Sequence, residues 1–191
     1  MAKAYILMNC HLGEEVEIIQ SLQKIVGIKE VHGTLGLYDI DAQIECTTDE
    51  KIQQIVTQQI RKMPKIHSSM TLTSSESGQL FQITEKLAGA MLGQNSSQAY
   101  VVFHSEKGEE YPILKNLCNI PEVKEADVVF GYYDVICRIE SSSEEVLQDI
   151  ITKAVRRLPN LKTSMTLNII KEQESKSVSY THLTLPTIYS V

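Results

Sequence analysis

The sequence predicts an α+β fold built from two tandem copies of one domain. Shifting the 191-residue chain by 95 positions aligns residues 4–73 with residues 99–168 without a gap, and about a third of the aligned pairs are identical. Within each copy, short apolar runs alternate with segments whose apolar residues recur at helical spacing. Two units of this length are tandem domains rather than a solenoid, which needs at least three shorter repeats.

Each copy begins with a strand, a helix and a second strand. Residues 4–10 are a short apolar run, typical of a buried strand. Gly13 interrupts this run, and Glu14 and Glu15 open a helix at the positive end of its dipole. The helix has an apolar stripe in both copies: Ile18, Ile19, Leu22 and Ile25, then Ile113, Leu114, Leu117 and Ile120. Residues 28–35 predict the second strand.

The second half of each copy predicts a hairpin, a helix and a last strand. Residues 36–39 form a turn that leads into a strand over 40–45, along which apolar and polar residues alternate. Capping boxes beginning at Thr47 and Ser142 start the next helix, and residues 66–72 form the final strand. The order strand–helix–strand–strand–helix–strand is the split βαβ or ferredoxin-like plan, with two helices on one face of a four-stranded antiparallel sheet.

The sheet face opposite the helices carries apolar side chains and has no helix to cover it. Such a face needs a partner. The simplest partner is the sister repeat, packed sheet against sheet within one chain or between two chains. We therefore expect a pseudo-twofold domain pair of the dimeric α-β barrel type, with two antiparallel four-stranded sheets face to face.

The predicted domains cover residues 1–73 and 99–170, with a helical linker over 74–98 and a tail over 171–191. The linker has an amphipathic stripe, which consists of Leu80, Ile83, Leu87 and Met91. We interpret the linker as a spacer that packs on one domain, with an oligomerisation helix as the alternative. The tail has no counterpart in the repeat and resembles translated vector sequence, so we exclude it from functional reasoning.

The composition argues against several classes of protein. The net charge is −6 and lysine and arginine are scattered, whereas direct nucleic-acid binding uses clustered basic residues. No apolar run approaches the roughly 20 residues of a membrane helix, and the N-terminus does not read as a signal peptide. Four cysteines without CxxC spacing favour a reduced, cytoplasmic chain. We expect neither a membrane nor a nucleic acid as a direct partner.

Catalysis has little support in the sequence. The duplicated polar residues include no pair that looks like an activated nucleophile and its base, so we predict a protein that is not an enzyme. A small dimeric αβ-barrel enzyme is the weaker of two rival hypotheses, because this fold also hosts chemistry in unrelated proteins. A sealed acidic pocket inside the barrel would favour that rival.

Several of these motifs together resemble the effector domain of Lrp/AsnC regulators, also called the RAM domain. They are the Gly-Glu-Glu segment before the first helix, residues 28–31, the Gly-x-Tyr-Asp hairpin and the helix end at residues 61–64. The hairpin occurs twice in register, so the similarity covers both repeats. Family regulators usually carry an N-terminal helix-turn-helix domain, whereas the first effector strand here starts at residue 4. The chain is therefore similar to stand-alone members, but in tandem.

The resemblance implies a ligand-gated assembly domain. In the family, effector domains dimerise through their sheets, build higher rings and bind small molecules, typically amino acids, in clefts between dimers. The implied effector-binding residues are Gly36, Leu37, Tyr38, Asp39, Gly131, Tyr132, Tyr133, Asp134, Thr71 and Thr166. Such a glycine lets backbone N–H groups approach an α-carboxylate, and an aspartate can hold an α-ammonium. The alternative is that glycine and aspartate serve the turn geometry alone.

These implications define the predicted function. We expect a homo-oligomer that binds an amino-acid effector at inter-domain clefts. It would modulate transcription through DNA-binding Lrp/AsnC family partners without binding DNA itself. The prediction requires no cofactor.

The main alternative is a metal-binding sensor or carrier protein with a copper or zinc site in the first repeat. We expect the first and third strands to run parallel as neighbours, which brings their ends close to the start of the fourth strand. The side chains at these places are Cys10, His11, Cys46 and His67. Thiols and imidazoles are competent ligands for zinc or copper if they converge. Neighbouring strand residues point to opposite faces, so we expect at most three of the four to converge.

Overall fold

The computed structural model describes residues 1–75 and 96–171, and it contains two copies of the predicted unit. The strands of the first repeat are β1 (Ala2–Cys10), β2 (Ile28–Leu35), β3 (Ile40–Cys46) and β4 (Ile66–Ser74), and its helices are α1 (Glu15–Leu22) and α2 (Asp49–Ile55). The strands of the second repeat are β5 (Ser97–Ser105), β6 (Val123–Phe130), β7 (Val135–Ser141) and β8 (Leu161–Ile169), and its helices are α3 (Glu110–Cys118) and α4 (Glu144–Lys153). The predicted α+β order is confirmed. The stripe of the predicted linker helix and nearly all of the tail lie outside the described residues.

The second helix of each repeat begins one residue later than its predicted capping box. The hydroxyl of Thr48, not of Thr47, accepts the N–H of Lys51 at 3.4 Å. In the second repeat the hydroxyl of Ser143 accepts the N–H of Val146 at 3.3 Å. Both capping residues have extended backbone, as an N-cap requires. Two adjacent hydroxyl residues precede each helix. The spacing pattern indicated the first of them, whereas the second is the N-cap.

Each repeat forms a four-stranded sheet in which the first strand is central. The orders are β2-β3-β1-β4 and β6-β7-β5-β8, with every neighbouring pair antiparallel. The expectation that the first and third strands run parallel is wrong, since Ala2 at the start of β1 lies opposite Cys46 at the end of β3. The physical reason is the hairpin: β2 returns in the direction of β1 after helix α1, and the turn then reverses β3.

The two sheets face each other and join at both edges into a closed eight-stranded barrel. At one edge β2 pairs with β8, where Thr34 lies opposite Ile169. At the other edge β4 pairs with β6, where Thr73 lies opposite Phe130. The expected face-to-face pairing is confirmed, and it forms within one chain. Closure also satisfies the backbone groups that a sheet edge would leave unpaired.

Three apolar clusters stabilise this arrangement. Two of them lie between a sheet and its own helices and include the fully buried Ile19 and Phe103. The third lies inside the barrel and contains Tyr5, Tyr100 and Leu72. The barrel interior is therefore where the repeats bury side chains against each other. Within residues 1–75 and 96–171, no helix has the length and apolarity needed to cross a membrane.

Candidate functional site

The two hairpin turns lie at junctions between the repeats. Residues 36–39 connect β2 to β3, and residues 131–134 connect β6 to β7. A Cβ atom on Gly36 would lie 2.9 Å from the carbonyl oxygen of Thr166 in β8, and one on Gly131 would lie 2.9 Å from that of Thr71 in β4. Side chains do not fit at such distances, so the close approach requires glycine. The structure thus brings each predicted hairpin to the last strand of the other repeat.

The hairpin aspartates hold each turn against the first strand of its own repeat. Oδ2 of Asp39 accepts the backbone N–H of Cys10 at 2.9 Å, and Oδ2 of Asp134 accepts that of Ser105 at 2.9 Å. The predicted turn role is therefore present in both repeats. Each carboxylate uses one oxygen for this bond, which leaves acceptor capacity for the ammonium group of a ligand.

The hairpin tyrosines point inward, whereas the residues before them are exposed. Tyr38 and Tyr133 belong to the cluster inside the barrel. Each hydroxyl donates to a methionine sulfur of its own last strand at 3.7 Å. Burial raises the pKa of both phenols. Leu37 and Tyr132 are 66% and 64% exposed, so both side chains offer surface to a ligand.

The second hairpin has an aromatic face that the first lacks. The rings of His104, Tyr132 and Tyr133 lie with their centroids 4.7 to 5.0 Å apart. Nδ1 of His104 is 3.7 Å from Oδ2 of Asp134. The first repeat has an asparagine and a leucine in place of His104 and Tyr132. The two predicted effector sites are therefore chemically different.

The predicted threonines also differ in their bonding. The hydroxyl of Thr166 accepts a hydrogen bond from the guanidinium of Arg156 at 3.3 Å. The hydroxyl of Thr71 is buried and makes no hydrogen bond within the described residues. Thr71 belongs to the segment that contacts Gly131, so its unbonded hydroxyl lies near the second hairpin.

Sequence reasoning missed a group of polar side chains inside the barrel. This group, called here the barrel polar cluster, consists of Lys3, Glu30, His32, Asp41, Gln43, Glu125, Asp127 and Arg138. Polar residues that alternate along a strand are equally typical of a face turned to solvent. The sequence did indicate that the sister sheet has to cover this face. Covering the face also buries the polar residues on it.

Lys3 links the two repeats inside the barrel. It is 3% exposed and forms ion pairs with Glu125 and, at 2.8 Å, with Asp127. The hydroxyl of Tyr5 donates to the same two carboxylates. Burial lowers the pKa of Lys3, but the nearby carboxylates outweigh burial and raise it. Lys3 therefore stays charged although it is enclosed.

Arg138 and Glu30 form a second link in the opposite direction. The guanidinium of Arg138 lies 3.3 Å from Oε2 of Glu30, and Nε2 of His32 lies 3.3 Å from the same oxygen. The hydrogen bond with His32 lowers the pKa of Glu30, burial opposes this, and the charge of Arg138 lowers it further. Gln43 completes the pattern by donating to Glu125 at 3.0 Å. Three of the four carboxylates in the cluster are thus engaged across the interface.

Asp41 is the exception in the cluster. It is fully buried, and within the described residues neither of its carboxylate oxygens has a hydrogen-bond partner. Burial raises its pKa to about 7, an effect that His32 opposes and Glu125 strengthens. The hydroxyl of Tyr100 is likewise buried without a hydrogen-bond partner there. Asp41 is thus a buried acid inside the barrel, and the charged side chains around it pair with one another.

The predicted metal ligands do not converge. Cys10 lies at the end of β1, whereas Cys46 lies opposite Ala2 at its start, and a strand rises roughly 3.3 Å per residue between them. His11 and His67 do meet, with ring centroids 3.9 Å apart. Burial raises the pKa of Cys10 to about 11, which disfavours the thiolate that a metal needs. The described residues contain no group of three or more His, Cys, Asp or Glu side chains placed to hold a metal ion.

Residues 98–176 match a family model described as the Lrp/AsnC ligand binding domain. The hypothetical protein PHS023 from Pyrococcus horikoshii is 33% identical over 39% of this chain and 90% of its own, with a TM-score of 0.38. The protein FFRP-DM1 is also 33% identical, over 39% of this chain and 100% of its own, with a TM-score of 0.39. The search of curated proteins gives no match.

Solved structures of other proteins resemble both repeats together, among them an anthrone oxidase-like protein that aligns with 88% of this chain and 91% of its own, with a TM-score of 0.54 and 12% identity. The siroheme decarboxylase NirDL aligns with 87% of this chain and 70% of its own, with a TM-score of 0.62 and 9% identity. At that identity the likeness shows a shared fold alone. The paired-repeat barrel is therefore an architecture that other proteins also adopt.

Proposed function

Because this chain belongs to the Lrp/AsnC ligand-binding domain family, matched over residues 98–176, we propose that it is a stand-alone regulatory protein that binds an amino-acid effector. The effector binds where a hairpin of one repeat meets the last strand of the other. The protein assembles into homo-oligomers, and effector binding changes that assembly. It acts on transcription through DNA-binding partners of the same family and does not bind DNA itself.

The observation that carries the proposal is the contact of each hairpin glycine with the opposite repeat. At Gly131 the absence of a side chain brings the turn against the carbonyl oxygen of Thr71 in the other repeat. A backbone N–H can bind a carboxylate at such a place, and Asp134 can bind an ammonium group. An amino acid bound there would contact both repeats, and could therefore change how they present their surfaces.

The second hairpin is the better of the two candidate sites. Its aromatic face, formed by His104, Tyr132 and Tyr133, lies beside the carboxylate of Asp134. Aromatic faces attract cations such as an α-ammonium and also bury apolar side chains. The first hairpin offers Leu37 alone at the corresponding exposed position. We therefore assign effector binding to the second hairpin.

Exposed apolar side chains at the hairpins support self-association. Leu35 and Leu37 in the first repeat and Phe130 and Tyr132 in the second are 64 to 66% exposed. These residues occupy equivalent positions in the two repeats, so each repeat presents a similar patch. Clustered exposed apolar residues mark interaction surfaces. The proposal is that further copies of this chain cover them.

A thermal shift assay against the twenty amino acids tests effector binding. We expect the Tm to rise with the concentration of at least one amino acid. The variant Tyr132→Leu, which copies the first repeat, should need at least tenfold more of that amino acid for the same rise in Tm. Leu37→Ala is the matched control and should leave it unchanged. An unchanged Tm with every amino acid at millimolar concentration contradicts the proposal.

Native mass spectrometry tests self-association. We expect multiples of the 21.5 kDa chain, which the variant Leu35→Ser with Phe130→Ser should reduce to smaller species. Val26→Ser is a suitable control, since Val26 is 86% exposed and lies away from the hairpins. A single-chain mass at micromolar concentration, with or without effector, would refute the assembly.

A further inference from the structure

The polar residues that face each other across the barrel follow the pseudo-twofold relation between the repeats. Residues 95 positions apart occupy equivalent places, and the contacts show it. Gln43 of the first repeat donates to Glu125 of the second at 3.0 Å. Its counterpart Arg138 lies 3.3 Å from Glu30, which is the counterpart of Glu125. The same geometric positions are thus filled by different chemistry on the two sides.

A further difference between the repeats lies at Lys3. This lysine faces Glu125 and Asp127 of the second repeat. The second repeat has Gln98 in place of Lys3, and the first repeat has His32 in place of Asp127. The buried cation and its acid pair therefore lie on opposite repeats. The second repeat lacks the lysine, and the first has Glu30 as the counterpart of Glu125 but no acid in place of Asp127.

Two like repeats could not reproduce these contacts. In a pair of second repeats, Asp127 of each would face Gln98 of the other. Asp127 is 1% exposed, and both copies of its carboxylate would lose their cation. In a pair of first repeats, each Lys3 would keep Glu30 in place of Glu125 but would meet His32 where it now meets Asp127. Burying a charge without its partner is strongly destabilising, so unlike pairing is favoured.

The hydrogen-bonded barrel edges cannot supply this selectivity. The β2–β8 and β4–β6 edges are antiparallel pairings of a few residues each. Their bonds use backbone groups, which nearly every residue type has. Equivalent edges could therefore form between any two copies of the repeat. Discrimination between copies must come from side chains in the barrel interior.

We propose that Lys3, His32 and Gln43 in the first repeat and Gln98, Asp127 and Arg138 in the second make each barrel-facing surface specific for the unlike repeat. The partner of each sheet is thus the other repeat, either of the same chain or of a second copy that exchanges repeats reciprocally. Like repeats do not pair. The consequence is that the chain assembles from complete barrels, each with one repeat of each kind.

Two variants of the full chain test the proposal. Every chain compared, including the reference, also carries Asp41→Asn, because H32D would otherwise place a second carboxylate opposite Asp41. The transplant variant, K3Q with H32D and Q43R, gives both repeats the residues of the second. The exchange variant adds Q98K, D127H and R138Q, so that the two sets trade places. We expect the transplant variant to lose about 10 °C or more in Tm, or to fail to fold. The exchange variant restores complementarity and should recover at least half of that loss.

The opposite result is expected if each residue stabilises only its own repeat and the two sets do not have to match. The exchange variant changes twice as many buried residues, so it would then be at least as unstable as the transplant variant. That outcome overturns the proposal, whether the exchange variant melts lower or does not fold.

Mixing two like-paired chains provides a second readout. The reverse transplant, Q98K with D127H and R138Q, gives both repeats the residues of the first. Co-expressed with the transplant variant, it offers the unlike surface that each chain lacks. Native mass spectrometry should then show a mixed dimer in clear excess over both homodimers. A statistical mixture of the three species, or no mixed dimer, contradicts unlike-repeat specificity.

Discussion

Tyr5 and Tyr100, which are equivalent residues of the two repeats, meet inside the barrel with ring centroids 6.2 Å apart at an angle of 67°. The hydroxyl of Tyr5 donates to Glu125 and Asp127, whereas that of Tyr100 is buried without a hydrogen-bond partner in the described part of the chain. Burial raises the pKa of both phenols well above the usual value. The repeats share a fold, but their common interior is asymmetric in charge and hydrogen bonding.

Asp41 predicts a loss of stability as the pH rises from about 4 to about 7. Its pKa is raised from 3.8 to about 7, so the folded state holds the proton more tightly than the unfolded state. Below pH 4 both states are protonated, and above about pH 7 both are ionised. Across this window the free energy of unfolding should fall by about 4 kcal/mol through this group.

Urea unfolding of the Asp41→Asn variant measures this contribution. The variant should match the parent chain near pH 4 and exceed it by several kcal/mol at pH 8, since asparagine stays neutral. Asp149→Asn is the control, because Asp149 is an exposed residue whose pair with Lys153 is worth little. Equal stability of the Asp41→Asn variant and the parent at pH 8 would show that the carboxyl is not buried as described.

Removing Lys3 should be strongly destabilising. Lys3→Met leaves Asp127, which is 1% exposed, without its cation, and such a loss costs about 3–5 kcal/mol. Adding Asp127→Asn should recover part of this, with a coupling energy of about 2 kcal/mol in a double-mutant cycle. Strictly additive effects in urea unfolding would mean that the two side chains do not interact.

The hairpin glycines should tolerate no side chain. Gly131→Ala places a methyl group 2.9 Å from the carbonyl oxygen of Thr71, and Gly36→Ala does the same at Thr166. Gly108→Ala is the control, because Gly108 also has a positive φ but no atom within 4 Å. The control should cost about 1–2 kcal/mol from backbone strain, and the hairpin variants about 2 kcal/mol more. Similar losses in all three would argue against the inter-repeat contact.

The four cysteines should differ in their reaction with iodoacetamide at pH 8. The thiolate is the reactive form. Burial raises the pKa of Cys10 to about 11, and it raises that of Cys137 further. Cys46 and Cys118 are partly exposed and should be alkylated first, as peptide mass spectrometry can follow. Modification of Cys137 at the same rate as Cys46 in the native protein would contradict the packing of β7.

The element order was predictable because the duplication allowed each boundary to be checked twice. The strand predicted at residues 28–35 agrees with Ile28–Leu35 in the structure, where turns containing Gly27 and Gly36 delimit it. The direction of β3 relative to β1 was the error that mattered. Reversing that strand moves Cys46 to the far end of the sheet from Cys10, so the two predicted metal ligands do not come together.

The site was less predictable than the fold because its contacts are non-local. The hairpin residues were identifiable from the repeated Gly-x-Tyr-Asp motif, yet nothing near Gly131 in the sequence indicates Thr71 as its neighbour. Asp41 shows a similar limit. Its alternation with Ile40 and Ala42 indicates a polar face, but whether water or a second sheet covers that face depends on the pairing of the repeats.

The pairing of the two repeats within one chain can be measured directly by nuclear magnetic resonance. Isotope-labelled chain is diluted into an excess of unlabelled chain, so that effects between two labelled residues arise within a single molecule. We predict cross-strand nuclear Overhauser effects between Thr34 and Ile169 and between Thr73 and Phe130, the residues that close the barrel. If these effects are absent while those within each repeat remain, the closed single-chain barrel is wrong.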